Sequence, residues 1–120
     1  MSEALLHLVF ATAGGLGAVA RHAITGLVIH RFPWSTMIVN VTGSLVLGMA
    51  VALVTGDGSG FPEEARRFLF GFCGGFTTFS SFAWQSLDLH REQTLLHAAG
   101  YVAFSLVLCL LAYAAGLAMF

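Results

Sequence analysis

Long unbroken apolar runs dominate this chain. A helix needs about 20 apolar residues to cross a bilayer. Four stretches reach that length, at about 5–29, 35–54, 68–89 and 95–120. The first carries Arg21 and His22 late. The second follows Phe32, Pro33 and Trp34, an aromatic anchor and helix start suited to a membrane interface. The third is interrupted by glycine and threonine. Between the second and third, residues 55–62 are rich in glycine and end at Pro62, which reads as a turn-forming loop. No repeat or second domain is visible. The pattern predicts an all-α integral membrane chain, with residues 1–120 forming a single four-span domain.

Composition narrows the class further. Of 120 residues, 58% are apolar and 9% charged, where soluble domains carry roughly a quarter charged. Mean hydropathy is +0.86. So little charged surface excludes soluble enzymes, nucleic-acid binders and disordered chains. Five arginines (Arg21, Arg31, Arg66, Arg67 and Arg91) face six carboxylates (Glu3, Asp57, Glu63, Glu64, Asp88 and Glu92), and there is no lysine. No basic run is available to track phosphates or anionic lipid. Cys73 and Cys109 lie in apolar stretches without metal-ligand spacing, as reduced thiols do. The start of the chain lacks the basic n-region of a cleaved signal peptide.

Orientation should follow the arginine bias of the short loops. Four spans place Arg66 and Arg67 on one side, and Arg31 and Arg91 on the other, with Arg21 joining them if it reaches that interface. A chain that inserts both ways would show this near-balance, and so would a coincidence in so small a sample.

Polar residues inside the spans are the informative ones, because hydrocarbon penalises them unless they face protein or water. No carboxylate lies deep in a span, which argues against a proton-coupled exporter of cations. No buried Ser/His/Asp set, His-Glu-x-x-His or phosphate-cradling loop supports catalysis. The polar groups are neutral and fall on helical stripes: Gly14, Ala18, Arg21 and Thr25; Thr36, Asn40 and Ser44; Tyr101, Ser105, Cys109 and Tyr113. Close helix packing accounts for Gly43, Gly48, Ser44 and Tyr113. Asn40 is costlier to bury and points to function. In the third stretch, Gly74 and Gly75 followed by Thr77 and Thr78 make poor helix. A break there exposes carbonyls, which a membrane tolerates only when they are buried, wetted or bound to an ion such as sodium. Phe79 and Phe82 share one face, as ordinary packing residues would, and Thr78, Ser81 and Gln85 share another.

These residues resemble the CrcB/Fluc family of fluoride channels over essentially the whole chain. The match rests on the run from Gly14 to Arg21, on Asn40 to Ser44 following Ser35 and Thr36, and above all on the run from Gly71 to Phe82. The resemblance implies an antiparallel, dual-topology homodimer in the bacterial inner membrane, with two pores that export cytoplasmic fluoride passively. It implies a central structural sodium ion held by the backbone carbonyls of Gly74 and Thr77 from both subunits. In the fluoride pathway it places Phe79 and Phe82, Asn40 as a donor between the rings, the hydroxyls of Ser80, Ser81 and Thr36, and Tyr101 and Ser105 of the last span. Cys109 stands where a hydroxyl is expected one turn on, and a thiol is the weaker donor. Phenylalanine edges carry the positive part of the ring quadrupole and can face an anion. Arg21 either draws anions inward or snorkels to the interface. Two alternatives remain: a fluoride/proton antiporter, for which His22, His30 and His97 are weak coupling candidates, and a non-transporting structural subunit.

Overall fold

The computed structural model describes residues 2–27, 33–55 and 62–119. His30, Arg31, Phe32, residues 56–61 of the turn-rich loop (Asp57 among them) and Phe120 lie outside the described residues, as do the last two residues of the expected first span. Five helices follow one another: α1 (Glu3–Leu27), α2 (Trp34–Thr55), α3 (Glu63–Phe76), α4 (Phe79–Glu92) and α5 (Leu95–Ala118). Every described element is helical, as an all-α chain requires. α1, α2 and α5 are long and apolar enough to cross a membrane.

The third stretch is divided between α3 and α4, of 14 residues each. At 1.5 Å per residue each is about 21 Å long, short of the ~30 Å hydrocarbon core. α3 begins five residues before the apolar pattern does, because its first turns are charged. Glu63 and Glu64 sit at the positive end of the helix dipole. Glu63 also pairs with Arg66 at 2.7 Å and Arg67 at 3.0 Å, one turn on. Arg67 reaches Glu3 at 3.7 Å, which ties the start of α1 to the start of α3.

α1 packs mainly on α3, and α2 on α5, while α4 leans on α5. Absent side chains permit the two main contacts. A Cβ on Gly75 would collide with the backbone of Gly14, and one on Gly116 with the backbone of Leu45, Gly48 and Met49. The backbones therefore approach closely, as small-residue interfaces allow in membranes. A small apolar core of Met37, Phe82, Leu89, Ala98 and Tyr101 joins α2, α4 and α5. Large apolar side chains elsewhere, among them Leu8, Val19, Trp84, Leu96 and Leu110, are exposed on the outside of the chain. A surface this apolar suits lipid or another protein and not water.

Candidate functional site

The site is built around residues 77 and 78, between α3 and α4. Gly74 and Gly75 remain helical, and the helix ends at Phe76. The break expected over the glycine and threonine segment is therefore confined to its threonines. The reason is tertiary: Gly75 is packed into the α1 contact as helix, whereas β-branched threonines favour extended backbone. Thr77 (φ −80°, ψ 159°) and Thr78 (φ −148°, ψ 123°) are both extended.

Several of the backbone groups at the break find partners, as burial demands. The Cys73 carbonyl accepts from Thr77 N–H at 3.0 Å and from Thr77 Oγ1 at 2.9 Å. The Gly75 carbonyl accepts from Arg21 Nε at 3.3 Å. In a continuous helix, Thr78 N–H would donate to the Gly74 carbonyl and Ser81 N–H to the Thr77 carbonyl. Both donors are taken by side chains instead. Thr78 N–H donates to Asn40 Oδ1 at 2.8 Å, and Ser81 N–H donates to Thr78 Oγ1 at 3.1 Å, an N-cap for α4. Asn40 Nδ2 in turn donates to the Thr78 carbonyl at 3.0 Å. The Gly74 and Thr77 carbonyls have thus lost their helical donors, and that makes them suited to a hard cation. Among the described residues, no three His, Cys, Asp or Glu side chains gather as a metal site. A cation here would depend on main-chain oxygen.

α2 shapes the other wall. Asn40 and Gly43 are three residues apart and share a face. A Cβ on Gly43 would collide with Thr77 Cγ2 and lie 3.3 Å from Phe76 Cδ2. Ser44 Oγ donates back to the Asn40 carbonyl at 2.7 Å. A cavity of about 530 Å³ opens beside the break, lined by Asn40, Gly74, Thr77, Phe79, Phe82 and Ser105 among others. Among the described residues, no carboxylate lines it.

The residues singled out from the sequence divide into groups. Asn40, Phe79, Phe82, Ser105, Gly74 and Thr77 meet at the cavity. Phe82 lies 5.2 Å from Tyr101, ring to ring, with Tyr101 fully buried behind it, facing a second and smaller cavity with His97. Thr36 is buried within α2 away from the main cavity. Ser80 is exposed, with its Oγ 3.3 Å from Thr78 Oγ1, and Ser81 engages the cap through its N–H. Arg21 is half-buried against the end of α3. Thr78 and Gly43, noted in the sequence for a helix break and for close packing, were given no role in the site. A threonine three residues before Ser81 does carry an N-cap signal; no local pattern signals the hollow at Gly43.

A family model described as "CrcB-like protein, Camphor Resistance (CrcB)" matches residues 8–117. Similar proteins include a fluoride-specific ion channel FluC of Methylocella silvestris, 43% identical over 81% of this chain and 79% of the relative. Another, from Rhodospirillum rubrum and bearing the same name, is 41% identical over 89% of this chain and 88% of its own length. A fluoride-specific ion channel FluC 2 of Bradyrhizobium diazoefficiens is 46% identical over 84% of this chain and 78% of its own.

Proposed function

The chain belongs to the CrcB-like family, and from that premise we propose that it is a fluoride-selective channel that exports cytoplasmic fluoride passively. It works as an antiparallel, dual-topology homodimer of four-span subunits in the bacterial inner membrane. The cavity beside the helix break is the observation that carries this reading. Its polar lining is neutral, from Asn40, Ser44, Thr77 and Ser105, and its aromatic wall is Phe79 and Phe82. Carboxamide and hydroxyl groups replace part of an anion's water, and ring edges add positive quadrupole without a competing cation. A carboxylate would raise the barrier to an anion, and none among the described residues lines the cavity.

Phe79 supports the dimer. It is 78% exposed although it borders this cavity, so one subunit leaves the pathway open on that side. An isologous contact would close two such pathways at once. The Gly74 and Thr77 carbonyls of both subunits would hold one sodium ion, whose charge offsets carbonyls left without helical donors. The ion is structural and is not transported. Arg21 draws anions toward the break from the α1 side, while the hydroxyls of Ser80, Ser81 and Thr36 and the polar positions Tyr101 and Ser105 extend the pathway.

Fluoride efflux from liposomes reconstituted with the purified chain tests this function. A channel gives potential-driven flux without proton coupling. Coupled proton flux would make the protein an antiporter, and no flux would make it a structural subunit.

A further inference from the structure

Asn40 does more than line the cavity. Its primary amide pairs with both backbone groups of Thr78, accepting from the N–H and donating to the carbonyl. An adjacent β-strand would pair with an extended residue in the same way. The peptide bonds here are trans, so the carbonyl and N–H of each peptide unit point in opposite directions. With Thr78 N–H directed at Asn40, the Thr77 carbonyl of the same peptide is directed away from α2. With the Thr78 carbonyl directed at Asn40, the N–H of Phe79 also points away. The same Asn40 oxygen takes the donor that would otherwise serve the Gly74 carbonyl.

We infer that Asn40 is the positioning residue of the central cation site: it releases the Gly74 carbonyl and aims the Thr77 carbonyl. This rests on the sodium ion proposed above. One side chain then connects two functions. The face that lines the anion cavity and the acceptor that organises the cation ligands belong to the same carboxamide. A cation on the Thr77 carbonyl polarises its peptide and strengthens the Thr78 N–H bond to Asn40, as linked hydrogen bonds do. Sodium occupancy therefore holds Asn40 in place beside the anion path.

The test separates acceptor from donor. Asn40→Asp keeps an oxygen for Thr78 N–H, whereas Asn40→Ala and Asn40→Leu remove it. Thermal unfolding of the purified dimer is followed across a sodium titration, with choline as the replacement cation. Half-saturating sodium should rise about tenfold or more in Asn40→Ala and Asn40→Leu, the usual effect of losing an outer-sphere partner. It should stay at or below the wild-type value in Asn40→Asp. A role in packing alone would lower unfolding temperatures equally in sodium and choline and leave half-saturation unchanged, and that result overturns the inference. If neither apolar variant folds, the wild type still decides it: Thr78 amide hydrogen exchange must slow when sodium replaces choline, and unchanged exchange overturns the inference. A wild-type dimer indifferent to sodium removes the cation site and, with it, this role for Asn40.

Discussion

Phe79 and Phe82 stand 6.0 Å apart, ring centroid to ring centroid, yet Phe79 is 78% exposed and Phe82 9%. One turn of α4 thus presents two phenylalanines with different tasks. Phe82 is packed against Tyr101 in the core of the subunit, and Phe79 projects from it. Phe82→Ala should destabilise the subunit by about 3–5 kcal/mol, the range for a buried aromatic. Phe79→Ala should cost clearly less than Phe82→Ala, because Phe79 packs little within its own chain, while it lowers fluoride flux. Denaturant unfolding in detergent, alongside liposome efflux, distinguishes the two; equal destabilisation would contradict the division.

Asn40→Asp should cut fluoride flux about a hundredfold, because a carboxylate in the anion path repels fluoride by about 3 kcal/mol at roughly 6 Å and an effective dielectric of about 20. The side chains are nearly the same shape, so dimer assembly should persist. Efflux normalised to folded dimer checks this, and flux at the wild-type level would remove Asn40 from the pathway.

Gly75→Ala should loosen the seam between α1 and α3, since its Cβ would meet the Gly14 backbone, which cannot rotate away. A cost of about 1–3 kcal/mol is expected from overpacking. Gly15→Ala is the control, with nothing within 4 Å of its added carbon, and it should be neutral or slightly stabilising through helix propensity. Unfolding midpoints of the two variants should separate clearly.

Gly74 behaves differently from Gly75. Within one subunit a Cβ at Gly74 meets nothing within 4 Å, and the residue is exposed on the cavity side. Gly74→Val therefore tests whether a second copy of the chain packs there, as proposed. We expect a weakened dimer and lost flux, read by light scattering of the detergent complex and by efflux. A dimer of undiminished stability would place the interface elsewhere.

A reporter fused after Phe120 should appear on both sides of the inner membrane, because Arg66 and Arg67 oppose Arg31 and Arg91 almost evenly. Two lysines added near Asp57 should drive it to a single side. A reporter found on only one side of the membrane in the unaltered chain would contradict dual insertion.

The sequence by itself determined that this is a helical membrane chain, because apolar run length and the scarcity of charge are properties of the residues alone. It also singled out Asn40, because a buried carboxamide is costly, whereas the spacing of Phe79 and Phe82 read as ordinary packing and only the family resemblance marked that pair. Only the tertiary structure decided what Asn40 is bonded to. Thr78 is 38 residues away, and helical spacing says which residues share a face but not which helix that face meets. The place of the interruption was settled in the same way. Judged locally, Gly74 and Gly75 are the weakest helix formers, yet contact with Gly14 keeps Gly75 helical. The backbone leaves the helix at Thr77 and Thr78, where Asn40 takes the N–H that one more turn would have used.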